Sequence, residues 1–168
     1  MNHVEMMRLA ESVALRSVCK RAQVGAVLAH GWVTFKGFNH NVGGGACECD
    51  DGKTLDTVVH AERMALNERA RYLSSPAYDM SHLKNVELHS NCGVLYVTRQ
   101  PCINCAKLIV NAGIGAVYYR DPDDKRDGLD WLVSHGVAVN SGWLKEQMRA
   151  RTLERVQRTW ADRWQEGV

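Results

Sequence analysis

The chain has 168 residues, which most simply form a single domain spanning residues 1–168. Hydrophobic residues make up 45% and charged residues 24% of the sequence, which is ordinary for a soluble globular protein, and the net charge of +2 is too small to indicate nucleic-acid or membrane binding by itself. No apolar run approaches the ~20 residues of a membrane span, and Glu5 and Arg8 interrupt any apolar core of a signal peptide.

The N-terminal part of the chain predicts a helix followed by a β-hairpin. Apolar residues recur at three- and four-residue spacing over 6–18, which is typical of an amphipathic helix. An apolar run over 24–29 predicts the first strand. His30-Gly31 is a candidate two-residue turn, and the alternation over 32–38 predicts the return strand.

A long irregular stretch over 39–58 separates the hairpin from the next helix. It contains three consecutive glycines and the pair Cys47-x-Cys49. A loop this long inside a compact domain is more often functional than decorative. We predict a helix over 59–72 after this stretch and then a polar surface excursion over 74–91.

The second half of the chain alternates between strands and helices. We predict a strand over 93–98, a helix from Pro101 to Ala112, a strand over 116–119, a helix over 129–134, a strand over 137–139, and a C-terminal helix from about 142 to 165 that Ser141 caps. This order predicts an α/β fold in which a mixed sheet of five strands has helices on both faces.

Two short motifs combine the side chains of a catalytic metal site. Pro101-Cys102-Ile103-Asn104-Cys105 places two thiolates one helical turn apart, and His60-Ala61-Glu62 adds an imidazole and a carboxylate. Three protein ligands leave the fourth position of a tetrahedral zinc open, which is the catalytic arrangement, and water in that position ionises near neutral pH. Glu62 lies two residues from a ligand and is the natural proton carrier. Both motifs open predicted helices, whose N-termini favour bound thiolate.

Each half of this pattern has a less specific interpretation. A lone Cys-x-x-Cys could be a redox pair, half of a zinc ribbon or two buried small side chains. The His-x-Glu motif upstream and the proline before Cys102 leave a structural zinc site as the main alternative to a catalytic one. Six cysteines without an export signal indicate a reducing compartment, so we expect a cytoplasmic protein whose thiols are kept for metal.

His-x-Glu followed by Pro-Cys-x-x-Cys is the signature of the zinc nucleobase deaminases. Over about 18–139, the chain resembles the cytidine-deaminase superfamily and, within it, the deoxycytidylate (dCMP) deaminases. The matching segments are residues 21–27, 37–39, 60–62, 95–98, 101–109, 112–114 and 117–119. The resemblance implies a single-domain, three-layer α/β/α fold with a five-stranded mixed sheet.

The resemblance also implies a reaction, the zinc-dependent hydrolytic deamination of dCMP to dUMP and ammonia, which supplies thymidylate synthesis. His60, Cys102 and Cys105 would hold the zinc. Glu62 would carry the proton from water to N3 of the pyrimidine and return one to the leaving amine. A 5-modified dCMP is a second candidate substrate of the same kind.

Three further positions are implied to bind the substrate. Asn39 would contact the sugar or base, and Ala61 belongs to the same substrate-binding set. Arg21, or its neighbour Lys20, is the candidate for the 5′-phosphate, because a basic group there suits a phosphate dianion.

The chain departs from the family in three places. The family's Gly-Tyr-Asn-Gly-x-Pro is here residues 37–42, Gly-Phe-Asn-His-Asn-Val, in a loop that helps form the surfaces for dCTP and dTTP, the candidate effectors. The residues after Glu62 look more like those of the tRNA adenosine deaminases, which makes a base in a polynucleotide the alternative substrate. Some relatives carry a second, structural zinc, for which Cys19, Cys47 and Cys49 are the candidate ligands.

The predicted C-terminal helix spaces four large apolar side chains at intervals of three and four residues, with arginines between them. They are Leu153, Val156, Trp160 and Trp164. A subunit contact is favoured over a basic aromatic surface for nucleic acid. Family members are commonly oligomers, so we expect a homo-oligomer, with a hexamer favoured. A non-enzymatic zinc-binding regulator is a third interpretation, and the intact Glu62 argues against it.

Overall fold

The computed structural model describes residues 2–75 and 93–141 of the chain. In chain order the elements are α1 (His3–Ala14), β1 (Gly25–His30), β2 (Val33–Phe38), β3 (His40–Asn41), β4 (Val58–Val59), α2 (Ala61–Leu73), β5 (Val94–Arg99), α3 (Ile103–Asn111), β6 (Ala116–Asp121), α4 (Asp127–Ser134) and β7 (Ala138–Asn140). Among the residues described, none of the helices has the length and apolar character needed to cross a bilayer.

Five strands form one mixed sheet in the order β2-β1-β5-β6-β7. β1 runs antiparallel to both β2 and β5, whereas β5, β6 and β7 are parallel to one another. The predicted five-stranded mixed sheet is therefore confirmed. The hairpin turn lies one residue later than predicted, because His30 pairs with Val33 and leaves Gly31 and Trp32 as the two turn residues. Gly31 has a φ of 60°, a conformation that glycine adopts without steric cost.

The two faces of the sheet are covered by different helices. Along β1, Val27 and Ala29 belong to the apolar cluster that α1 covers, and Ala26 and Leu28 belong to the cluster beneath α2, α3 and α4. This alternation follows from the two-residue period of a strand, and β1 is apolar on both faces because both are buried. The three-layer α/β/α arrangement is thus confirmed.

The bounds of α1 and α3 differ from the prediction. α1 begins at His3, because the Asn2 side chain accepts a hydrogen bond from the Val4 amide, and it ends at Ala14 rather than at 18. Beyond its end, the Ser17 hydroxyl donates to the Asn39 carbonyl at 2.8 Å and draws the chain away from the helical path. α3 begins at Ile103 rather than at the preceding proline.

The predicted irregular stretch over 39–58 contains the short strands β3 and β4, which pair with each other. Most of the predicted surface excursion, from residue 76 onwards, and the predicted C-terminal helix from about 142 lie outside the described residues. The interpretation of residues 1–168 as a single domain stays a prediction for the same reason.

α2 is seated unusually close to the sheet at Gly37 of β2. A Cβ atom at this position would lie 2.1 Å from the Ala61 carbonyl oxygen and 2.6 Å from the Ala65 nitrogen. Real Cβ atoms do not approach backbone atoms so closely, so a larger residue would force α2 outward. The missing side chain therefore sets the position of the helix that begins directly after His60.

We predict that Gly37→Ala destabilises the protein by about 1–3 kcal/mol, because the added methyl group meets backbone that cannot rotate away. Denaturant-induced unfolding measures the change. Gly43→Ala is the matched control, since nothing lies closer than 4.0 Å to its added Cβ, and it should change stability by about 0.5 kcal/mol or less. Equal unfolding midpoints for the two variants would contradict the proposed seating of α2.

Candidate active site

The N-termini of α2 and α3 converge at one edge of the sheet. Cys102 follows the carboxyl end of β5, and His60 follows β4. Each is the N-cap of its helix, with extended backbone (φ −73°, ψ 153° for His60 and φ −73°, ψ 167° for Cys102), and neither side chain caps its helix. The imidazole and the thiol are therefore free to point at each other. Ligands in α/β proteins commonly bind outside the carboxyl ends of the strands, as here.

His60, Cys102 and Cys105 form a group of potential metal ligands. The His60 Nδ1 atom lies 3.6 Å from Cys102 Sγ and 3.4 Å from Cys105 Sγ. All three ligand atoms lie within 4.8 Å of one another, and in the described ranges, 2–75 and 93–141, no other three or more His, Cys, Asp or Glu side chains are spaced to hold a metal. The predicted ligand set is thus brought together.

This group fits zinc in its donor chemistry and in its spacing. One imidazole nitrogen with two thiolates is a donor set of known catalytic zinc sites. With Zn–S of about 2.3 Å and Zn–N of about 2.0–2.1 Å, tetrahedral angles separate nitrogen from sulfur by about 3.5 Å. The observed nitrogen–sulfur separations of 3.4 and 3.6 Å agree with that value. Only three donors are supplied, so the fourth position is left to a small ligand.

The group supplies one negative charge, at Cys102, that suits a cation. The hydrogen bond from the Cys105 thiol, together with His60, lowers the pKa of Cys102 to about 3. The hydrogen bond to Cys102 raises the pKa of His60. The Cys105 thiol is the donor in its pair with Cys102, and its pKa is raised. Cys102 is therefore a thiolate at neutral pH, and it lies at the positive end of the α3 dipole.

Glu62 lies in the first turn of α2, directly behind the ligand group. It is 4% exposed, and burial raises the pKa of its carboxyl group. A buried carboxyl group whose pKa is moved toward neutrality can both accept and donate a proton. Its contact with Cys105 shows that it reaches the same space as the ligands.

A cavity of about 210 Å³ opens over the ligand group. His60, Glu62 and Cys102 form part of its wall. Of the residues predicted to bind substrate, Arg21, Asn39 and Ala61 line it and Lys20, the alternative to Arg21, does not. The other lining residues are Cys19, Ala22, Val24, Glu48, Thr54, Val58, Arg99, Gln100 and Asp123. Residues of both sequence motifs therefore lie at the same cavity.

Residues 1–121 match the family model described as the cytidine and deoxycytidylate deaminase zinc-binding region. The chain belongs to this family. Among curated proteins, it is 29% identical over 121 residues to the ComE operon protein 2 of Bacillus subtilis (strain 168), an alignment that covers 68% of this chain. It spans only 57% of that relative's length.

Solved structures of the family are similar to this chain along most of its length. The dCMP deaminase of cyanophage S-TIM5, in complex with dCMP and dUMP, is 32% identical with a TM-score of 0.67, covering 81% of this chain and 93% of the phage protein. Its apo form gives 29% identity and a TM-score of 0.63, covering 83% and 96%. A diaminohydroxyphosphoribosylaminopyrimidine deaminase/5-amino-6-(5-phosphoribosylamino)uracil reductase of Thermotoga maritima has 23% identity and a TM-score of 0.58, with coverage of 88% of this chain and 38% of that one. It shows the fold alone.

In this deaminase-family chain, Arg21 lies in the connection between α1 and β1, and Asn39 contacts that connection. The Asn39 side chain fixes that connection, since its Oδ1 accepts from the Val24 amide at 2.7 Å and its Nδ2 donates to the Ala22 carbonyl at 2.8 Å. Arg21 is exposed, and its backbone amide donates to Glu48 at 3.0 Å. Its guanidinium group makes no hydrogen bond or ion pair within the described part of the chain, so it is available to a ligand.

Cys19, Cys47 and Cys49 do not assemble as the second metal site that was expected. Cys19 and Cys47 are joined by a disulfide, and Cys49 is an exposed free thiol. Sulfurs that share a covalent bond have no thiolate charge to offer a metal, which corrects the expected ligand set. The disulfide ties the segment before β1 to the loop that follows β3, and both segments line the cavity.

Several residues of the cavity wall were not predicted from the sequence, among them Arg99, Gln100 and Asp123. Arg99 is the last residue of β5, Gln100 follows it, and Asp123 lies in the loop after β6. The two segments meet because β5 and β6 are parallel neighbours that end at the same edge of the sheet. Arg99 and Gln100 could have been predicted as cavity residues, because they stand directly before Pro101 and the metal-ligand motif that it opens.

We predict that Cys102→Ala loses bound zinc, since two remaining ligands hold it far more weakly than three. Metal content per chain, measured after purification, checks this. Cys49→Ala is the matched control and should retain the metal, because Cys49 lies outside the ligand group. Acid should strip zinc from the wild-type protein as well, because protons compete for the thiolates and the imidazole. Full zinc content in Cys102→Ala would place the metal elsewhere.

Proposed function

We propose that this chain is a zinc-dependent hydrolase that deaminates dCMP to dUMP and ammonia, with 5-modified dCMP as a related candidate. One observation carries the proposal: two members of the His-Cys-Cys ligand group, His60 and Cys102, and the buried carboxyl group of Glu62 share the wall of a single cavity. A structural zinc site would not need that carboxyl group. The similarity to the cyanophage dCMP deaminase supports the choice of substrate.

His60, Cys102 and Cys105 would hold zinc at the base of the cavity. Bound there, zinc would supply a Lewis acid and acidify a water molecule. Glu62 takes a proton from that water and delivers it to N3 of the cytosine ring. It would then carry the second proton of that water to the amino group, which leaves C4 as ammonia. The water oxygen becomes the C4 carbonyl oxygen and N3 keeps the first proton, so atoms and charges balance. The raised pKa of Glu62 suits this double role, because the group must gain and lose a proton in one cycle.

Asn39, Ala61 and Arg21 would bind the nucleotide. The two backbone hydrogen bonds of Asn39 fix its amide group and leave one N–H and one lone pair for the sugar or base. Ala61 is fully buried, and its small side chain leaves room for the ring. The exposed guanidinium group of Arg21 suits the 5′-phosphate.

Other expectations stay predictions. They are the homo-oligomer, with a hexamer favoured, dCTP and dTTP as effectors, the cytoplasmic location and the supply of dUMP for thymidylate synthesis. The alternative substrate, a base in a polynucleotide, is separated from dCMP by the following measurement.

We expect ammonia release from dCMP and none of comparable rate from deoxycytidine, dCTP or a short cytosine-containing DNA strand, all offered in parallel. The reason is that the exposed arginine at the cavity favours a terminal phosphate. Ammonia release from the DNA strand, with none from the mononucleotides, would contradict dCMP as the substrate and indicate a polynucleotide instead.

We predict that Glu62→Gln lowers turnover of dCMP by about 10²–10⁴-fold while zinc content is unchanged, because only the proton carrier is lost. Steady-state ammonia release and metal analysis measure the two quantities. Glu68→Gln on the same helix is the control: Glu68 pairs with Arg71 outside the cavity, so its loss should leave turnover intact. Substantial activity in Glu62→Gln would assign the proton transfer to another group.

A further inference from the structure

The cavity has a second arginine, which is held by a carboxylate. The Arg99 Nη2 atom lies 2.7 Å from Asp123 Oδ2, and the two side chains are 45% and 34% exposed. Both residues line the same cavity as His60 and Glu62. The hydrogen bond from Arg99 lowers the pKa of Asp123, so the carboxylate is charged at neutral pH. The arginine is thus paired with a full negative charge at a solvent-exposed position.

The loop that carries Asp123 does not need Arg99 to hold it. Gln100 is buried, its Nε2 donates to the Lys125 carbonyl, and its Oε1 accepts from the Asp123 amide at 3.1 Å. The backbone amide of Gln100 also donates to the Asp121 carbonyl at 2.9 Å. Gln100 therefore fastens the loop backbone at three points. An exposed ion pair adds little stability to such a loop, so the Arg99–Asp123 contact can break at small cost.

The charges around the cavity suit an anion only if this pair opens. Apart from the ligand group and Glu62, Arg21 and Arg99 supply two positive charges to the cavity wall, and Glu48 and Asp123 supply two negative charges. While Arg99 is paired, its guanidinium group is neutralised and Asp123 repels an approaching anion. A phosphate offers Arg99 a more highly charged partner with the geometry for a two-point hydrogen-bonded contact.

We propose that Arg99 is a specificity-determining residue that exchanges Asp123 for the phosphate of the nucleotide, so that the Arg99–Asp123 ion pair is the ligand-free arrangement of the cavity. Arg99 and Arg21 then contact the phosphate together. Asp123 does not contact the ligand; its ion pair keeps the Arg99 side chain at the cavity until the phosphate binds. This inference rests on the proposed function, because it assumes a phosphorylated ligand.

The test compares the equilibrium binding of dUMP and deoxyuridine to the zinc-loaded protein by calorimetry, since the two ligands differ only in the phosphate. Arg99→Gln should weaken dUMP binding by about 10- to 100-fold and leave deoxyuridine binding unchanged, because it removes charge-assisted hydrogen bonds to the phosphate alone. Arg8→Gln makes the same change of charge on the exposed surface of α1, away from the cavity, and should alter neither affinity.

Asp123→Asn separates phosphate recognition from a structural role. The asparagine keeps an oxygen for the Lys125 amide, which the Asp123 Oδ1 accepts at 3.4 Å, but it loses the charge that holds Arg99. We expect dUMP to bind more tightly by up to about fivefold, because a competing anion is gone. If the pair were only a structural tether, Arg99→Gln and Asp123→Asn would both weaken binding.

Three outcomes overturn parts of the scheme separately. A wild-type protein without preference for dUMP over deoxyuridine overturns the proposed substrate, and with it the role of Arg99. A preference that persists in Arg99→Gln overturns only the role of Arg99. Weakened dUMP binding in Asp123→Asn, with zinc content and unfolding midpoint unchanged, overturns the exchange of partners.

Discussion

The structure depends on two residues that stay extended where a helix begins. His60 and Cys102 each occupy an N-cap whose side chain usually bonds to its own helix, and neither does so. Their donor atoms instead meet across the gap between α2 and α3. The positive ends of both helix dipoles therefore point at the same group, which stabilises the thiolate form of Cys102. The spacing of the ligand atoms, and with it the affinity for a metal, therefore depends on how α2 and α3 are placed relative to each other.

The opposite ends of α2 and α3 are fixed as well. Arg69 of α2 donates to the Ala112 carbonyl beyond α3 at 2.8 Å and to His30 Nδ1 at 3.3 Å. Near the ligands, Gly128 of α4 approaches the chain so closely that a Cβ would lie 2.3 Å from the Pro101 carbonyl oxygen. With Gly37 beneath α2, positions without side chains thus set the depth of both ligand-bearing segments. Precise ligand spacing follows from backbone contact rather than from flexible side chains.

Local patterns were enough to predict the sheet and the ligand group. The hairpin, the alternation of strands and helices, and the spacing in His-x-Glu and Pro-Cys-x-x-Cys are properties of neighbouring residues. The Cys19–Cys47 disulfide was not predicted, because it joins positions 28 residues apart through a loop whose path no local pattern specifies. The interactions of Arg99 and Gln100 with the loop after β6 were missed for the same reason, since they span 23 to 25 residues. α1 ended early because of a contact between Ser17 and Asn39, which is also non-local.

The cavity combines two kinds of construction with different consequences. Its base is built from the N-cap residues of α2 and α3 and the first residues of α2, where a change of one side chain disturbs the placement of the two helices. Its other walls are built largely from connections, namely the segment before β1, the loop after β3 and the loop after β6. Connections tolerate substitution better than packed elements do. A residue in such a connection, for example Arg21, which we propose binds the phosphate, can therefore change without loss of the His60-Cys102-Cys105 group. Where the same base is found under a different set of wall residues, a different substrate for the same type of reaction is the physical expectation.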